Sequence, residues 1–187
     1  LNTDAAVLRV TAGGPVAVRE ATGLQLGDAV SGVTSSGGSI TITTVSGSIT
    51  TGNSLTTAAA GRIDLTAAGT NADIFVNHRL QTADGRVRLE AGDSVQFASA
   101  GEVVATGSGI VNVVANRNAT PGNDAGAVTM ADGSRIDAGT GRIELTSVGT
   151  AAGNIAHCVQ GLGGRLYQLE RQEKHLDDIF HEVTGGL

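Results

Sequence analysis

The chain has 187 residues, a net charge of -6 and 40% apolar residues, enough to bury a core of single-domain size. Aromatics supply only 2% and glycine 28 residues, so a core built on large rings is excluded and a narrow interior of Val, Ile, Leu and Ala is expected. The acidic balance lacks the basic footprint of a nucleic-acid binder. No apolar run is long enough for a membrane-spanning helix, and Cys158, the single cysteine, excludes an internal disulfide.

In chain order, Val7, Leu8 and Val10 read as strand residues of a partial coil over 1–13. No signal peptide opens the chain, which starts in mid-pattern, so it reads as a piece of something longer. The unit 14–37 places Val16 and Val18 inward, then Leu24 and Leu26 in a second strand and Val30 with Val33 in a third. The unit 38–60 is rich in Thr, a residue that suits strands on either face, and its inward set is Ile40, Ile42, Ile49 and Leu55. The unit 61–84 buries Ile63, Leu65, Ile74, Val76 and Leu80. The unit 85–108 buries Val87, Leu89, Val95, Phe97 and one of Val103 and Val104. The unit 109–140 is longer, and its surplus falls in the polar, Pro/Gly-bearing stretch 116–126, which should leave the stack as a loop. Val128, Met130 and Ile136 resume the pattern. A sixth unit starts at Gly141 and fades near Ile155.

These units share a starting motif. Gly61-Arg62-Ile63-Asp64-Leu65-Thr66 recurs as Gly85-Arg86-Val87-Arg88-Leu89-Glu90 and as Gly141-Arg142-Ile143-Glu144-Leu145-Thr146, with looser copies at 14, 38 and 109. An apolar residue at every second place marks a strand with one dry face. The starting glycines are 24, 23, 24, 24 and 32 residues apart, a period that points to stacked repeats. A 24-residue unit cannot bury its apolar side chains alone, so neighbouring units must cover one another. The expected fold is all-β, a parallel β-helix (β-solenoid) of about six coils over 1–157, roughly 30 Å long at the usual strand spacing.

At 158–164 a Gly-rich junction follows, and 165–184 reads as an amphipathic helix without Gly or Pro until Gly185. Its seam is Leu166, Leu169, Leu176, Phe180 and Val183, suited to capping the last coil or joining subunits.

The three Gly-Arg motifs, with their Ala/Gly/Thr/Asn-rich turns, resemble the repeats of filamentous-haemagglutinin-like bacterial exoproteins over roughly residues 1–155. That resemblance implies a right-handed parallel β-helix in a large secreted or surface-attached adhesin. It carries no catalytic signature and does not cover the C-terminal helix.

The sequence offers several site candidates. The loop residues Asn116, Arg117, Asn118 and Asp124 are the most site-like irregularity, and Asn118-Ala119-Thr120 fits a glycosylation acceptor. Arg62, Arg86 and Arg142 share one repeat position and suggest a ladder. Asp64, Arg88, Glu90 and Glu144 share an outward face and would serve a polysaccharide-acting enzyme, although solvated strands carry such charges anyway. His175, Asp178 and His181 share a helix face, and His157 adjoins Cys158; a solvated face and a junction thiol are the simpler readings. The Thr columns do not repeat regularly enough for an ice-binding array, and the Gly-Gly-x-Gly-x-Asp runs of calcium solenoids are missing. The expectation is therefore a structural or adhesive rod and not an enzyme, with no cofactor, metal, nucleic-acid partner or membrane insertion. Its expected partners are a host or cell-surface glycan or protein, or further copies joined through the helix or the solenoid ends. The alternatives are a self-assembling scaffold and a polysaccharide-acting β-helix enzyme.

Overall fold

The computed structural model describes residues 2–58, 60–118 and 126–148, and none of them is helical. Three parallel sheets form the walls of a β-solenoid. Sheet A has seven strands: Asn2–Thr3, Val16–Glu20, Ile40–Thr44, Ile63–Ala67, Val87–Ala91, Val111–Ala115 and Ile143–Ser147. Sheet B has six: Val7–Leu8, Leu24–Leu26, Ile49–Thr51, Ile74–Val76, Val95–Phe97 and Val128–Met130. Sheet C has six: Val10–Ala12, Val33–Ser35, Leu55–Thr57, Leu80–Thr82, Glu102–Ala105 and Arg135–Asp137. The chain visits A, B and C in turn, and each strand pairs in parallel with the strand of the same sheet one circuit away. The expected C-terminal helix and the fading of the repeat near residue 155 lie outside the described residues.

The alternation read from the sequence sets the register. In sheet A, Val16, Ile40, Ile63, Val87, Val111 and Ile143 form one inward column, and Val18, Ile42, Leu65, Leu89, Val113 and Leu145 the next. All but Leu145 are buried. A slip of one residue would turn both columns to water, so the pattern admits a single pairing.

The third inward column of sheet A runs Glu20, Thr44, Ala67, Ala91, Ala115 and Ser147. It stays small because the chain turns there toward sheet B. Glu20 is the exception. Its buried carboxylate accepts the backbone N–H groups of Ala5 (3.0 Å), Ala21 (2.9 Å) and Thr22 (3.4 Å), which satisfies the carboxylate inside the stack.

Hydroxyls do the same work where sheet C turns into sheet A. Ser35 Oγ donates to the carbonyls of Gly14 (2.8 Å) and Gly38 (3.0 Å), and Thr57 Oγ1 donates to that of Gly61 (2.9 Å). Thr82 Oγ1 donates to the Gly61 carbonyl at 2.6 Å and accepts the Gly85 N–H at 3.2 Å. Buried polar groups require such partners. Thr82→Val keeps the side-chain shape and strands a buried N–H, so we expect a loss of about 1–3 kcal/mol in urea unfolding. An unchanged midpoint would remove the hydroxyl from the account.

The motif glycines occupy that same corner. A Cβ at Gly38, Gly61, Gly85, Gly109 or Gly141 would come closer than 3.0 Å to backbone of the preceding coil, in the last four cases the carbonyl of the preceding motif glycine. Adjacent strands sit ~4.8 Å apart, and at this corner the backbones meet with no space for a side chain. The repeat glycine is thus a stacking requirement. Gly14 heads the column, and a Cβ there would meet nothing within 4 Å.

Two sequence-based expectations need correction and one open choice is decided. Val30 is not part of a strand: it is 84% exposed, and the sheet C strand starts at Val33. Gly27 at φ +80 turns the chain outward, and Asp28 Oδ1 then accepts the N–H groups of Val30 (3.0 Å) and Ser31 (3.1 Å). Those two bonds, with Arg9 nearby, hold the Asp28 carboxyl below its usual range. Between Val103 and Val104, Val103 is the core residue, in register with Leu80 and Ile136. Leu80 and Ile136 precede the next inward residues, Val87 and Ile143, by seven, whereas Val103 precedes Val111 by eight, because the connector 106–110 carries an extra residue. Finally, the arginine ladder is interrupted, because Ile110 stands between Arg86 and Arg142.

Candidate interaction surface

The outward positions of sheet A gather most of the charge that the sequence marked. One column runs Ala17, Thr41, Asp64, Arg88, Asn112 and Glu144, and the next holds Arg19, Thr43, Thr66, Glu90, Val114 and Thr146. Arg62, Arg86 and Arg142 precede their strands on the same side. Asp64, Arg88, Glu90 and Glu144 therefore do share one face, as their alternation requires.

Each carboxylate on that face is engaged. Arg86 Nη2 donates to Asp64 Oδ1 at 2.9 Å on the preceding rung. Arg142 Nη2 lies 2.9 Å from Glu144 Oε1, and Asn112 Nδ2 donates to Glu144 Oε2 at 3.0 Å. Glu90 is bonded by Arg88 and has Arg117 Nε at 3.9 Å. Exposed pairs of this kind contribute about 0–1 kcal/mol each. Their main effect is to orient guanidinium groups along the rod. Arg19 and Arg62 form no ion pair among the described residues.

The connector 116–127 joins sheet A to sheet B, where the other coils use 21–23, 45–48, 68–73 and 92–94. It contains the expected 116–126 insertion, and its start is defined by hydrogen bonds. After the three preceding sheet A strands the first residue donates to the coil before: Val45 to the Glu20 carbonyl, Ala68 to that of Thr44 and Gly92 to that of Ala67, the last at 2.8 Å. Here Arg117 makes that bond, to Ala91 at 2.9 Å, and Asn116 is an extra residue donating to Asp93. Asn116 adopts φ 53, a left-handed conformation that Asn tolerates better than most residues. It is fully buried, and its amide Nδ2 and Oδ1 have no hydrogen-bond partner among the described residues. Asn118 Nδ2 donates to the Ala68 carbonyl at 2.7 Å, and Ala127 rejoins the stack by donating to Ser94 Oγ at 3.2 Å. Of the four loop candidates, Asn116, Arg117 and Asn118 thus form the root of the insertion, while Asp124 lies outside the described residues, as do residues 119–125.

The same corner holds an acidic pair that sequence reading missed, because Asp in a turn has a sufficient local explanation. Asp73 Oδ1 accepts the Ser94 N–H at 2.9 Å, which brings it beside Asp93. Burial first, and then the charge of Asp73, push the Asp93 carboxyl above its usual range, against the opposing hydrogen bond from Ser94. A carboxyl raised in the folded state binds its proton more tightly there than in the unfolded chain. Stability then falls as pH rises from the unfolded value through the folded one. Asp93→Asn should therefore raise the melting temperature slightly at pH 7, and the gain should vanish below the unfolded carboxyl range. A gain that persisted in acid would contradict this assignment.

Among the described residues no group of three or more His, Cys, Asp or Glu side chains is placed to hold a metal ion, and no helix is long and apolar enough to cross a membrane. His157, Cys158, His175, Asp178 and His181, and the helix seam Leu166, Leu169, Leu176, Phe180 and Val183, lie outside the described residues. No protein-family model, curated protein or solved structure matches the chain, so the β-solenoid fold rests on its own geometry.

Proposed function

We propose that this chain is a rod-forming, adhesive segment of a large secreted or surface-attached bacterial protein. In this reading it is a right-handed parallel β-helix of filamentous-haemagglutinin type with about six coils, works without enzymatic activity, and presents side chains on its outer faces and on the 116–126 insertion. The observation that carries the reading is the contrast between columns. From Ile40 to Ile63, Val87, Val111 and Ile143 the interior stays apolar, while the outward column changes from Thr41 to Asp64, Arg88, Asn112 and Glu144. A repeat that varies its exterior over a fixed core suits display along a length better than chemistry at one point. Fractionation of the producing cells with an antibody to the purified chain tests it. The protein is expected in the outer-surface or secreted fraction. Confinement to the cytoplasm would overturn the reading.

A further inference from the structure

The circuit of residues 2–13 is tied to the rod by a buried ion as well as by strand pairing. Its strands Asn2–Thr3, Val7–Leu8 and Val10–Ala12 are two, two and three residues long. Leu8, Val10 and Ala12 are only partly buried, whereas their register partners Leu26, Val33 and Ser35 are fully buried. Apolar burial therefore holds this circuit less firmly than the circuits inside the stack.

Glu20 is that ion. It is fully buried, and both carboxylate oxygens are engaged: Oε2 accepts the N–H of Ala5 in the circuit 2–13, and Oε1 accepts those of Ala21 and Thr22 on its own side of the seam. Charge-assisted bonds are stronger than neutral ones, and a carboxylate inside the stack is stable only while they are made. Few other charges stand near it among the described residues. The circuit 38–60, on its other side, contains no charged residue. Arg19 precedes it on its own strand, in an outward column. Asp4, beside Ala5, is exposed. Arg9 is paired with Asp28 at 3.1 Å, an exposed contact of small weight.

We propose that Glu20 is an acid-opened clasp: protonation of its carboxylate releases residues 2–13 while the rest of the stack stays closed. A proton taken from solvent turns one acceptor oxygen into an O–H donor that faces N–H groups, and a buried N–H loses its partner. The ionised form makes the contacts, so the clasp holds at neutral pH and opens as pH falls through the carboxylate range. The same inward column continues as Thr44, Ala67, Ala91, Ala115 and Ser147, none of which ionises in that range, so the response is confined to one seam. Release uncovers the edges of the strands Val16–Glu20, Leu24–Leu26 and Val33–Ser35, whose freed N–H and C=O groups can take another strand. The clasp needs no ligand and no particular cellular location.

The test follows amide hydrogen exchange of the full chain by mass spectrometry, with each rate expressed as protection over the unfolded chain at the same pH. Between about pH 7 and about pH 3, peptides within 2–13 should lose at least about ten-fold in protection, and peptides within 61–91 should change by less than about two-fold. Glu20→Gln keeps the shape but leaves one acceptor oxygen and sets an amide NH2 against N–H donors. In that variant residues 2–13 should exchange at neutral pH as they do in the parent in acid, with no further pH response. Asp4→Asn with Arg9→Gln removes the other charges of this circuit and should keep the parent's response within about two-fold. The clasp is overturned if residues 2–13 keep their protection in acid or have none at neutral pH. It is equally overturned if 61–91 open in step with them in acid or in Glu20→Gln, if Glu20→Gln retains the pH response, or if the Asp4 and Arg9 variant abolishes it. Circular dichroism of the parent and the Asp4 and Arg9 variant at neutral pH establishes that both are folded before exchange is scored.

Discussion

Leu89→Asp unfolds the stack. Leu89 lies in the middle of sheet A, fully buried, with Leu65 on one side and Val113 on the other. The substitution removes roughly 2–3 kcal/mol of apolar burial and places a carboxylate among apolar side chains. Glu20 shows what a buried carboxylate needs in this rod, namely backbone N–H donors at a corner. Leu89 sits mid-strand, where the backbone N–H groups are committed to neighbouring strands. The total cost should exceed about 4 kcal/mol, a large part of the 5–15 kcal/mol that holds most domains. Because each coil is supported only by its neighbours, the break should divide the stack at this level. Loss of the β signal in circular dichroism, with proteolysis between residues 85 and 111, is the expected result. A variant as stable as the parent would refute the register.

Gly85→Val should cost nearly as much, for a different reason. The added Cβ would lie 2.7 Å from the Gly61 carbonyl carbon and 2.6 Å from Thr82 Oγ1, closer still to the Gly61 oxygen. Backbone supplies most of that obstruction, so no side-chain rotation relieves it. The two coils must part at the corner, disturbing the Thr82 hydrogen bonds as well. We expect a loss above about 3 kcal/mol in urea unfolding. Gly14→Ala, in the same sequence motif but with open space beside it, should change stability by less than about 0.5–1 kcal/mol. The pair separates stacking from a general intolerance of glycine replacement. Equal losses at both positions would show that the corner does not act through coil-to-coil contact.

The contrast between these glycines also marks the reach of the sequence. Alternation at Ile63-Asp64-Leu65 or Val87-Arg88-Leu89 leaves one choice of inward face, and the motif glycines give the spacing of the coils. Both are properties of a single strand or turn, so they can be read along the chain. Val30 misleads because apolar character alone does not reveal that Gly27 and Asp28 divert the backbone. Val103 and Val104 are chemically identical, and only pairing with Leu80 and Ile136 separates them. Glu20 looks like an outward charge until Ala5, from the preceding circuit, is brought to its carboxylate. The charged face was legible as the residues Asp64, Arg88, Glu90 and Glu144. The membership of Arg19 and Arg117 was not, since they join it only once the rungs are aligned.

The central claim is that residues distant in sequence form straight columns along a parallel stack. Spin labels at Thr41→Cys and Glu144→Cys, with Cys158→Ser to remove the native thiol, test it most directly. These positions are joined through Asp64, Arg88 and Asn112 as successive register partners. Four strand spacings put their backbones about 19 Å apart despite the intervening chain. Pulsed electron resonance should return one narrow distribution near that value, widened only by the label arms. A broad distribution, or a maximum beyond about 35 Å, would contradict the stacked register.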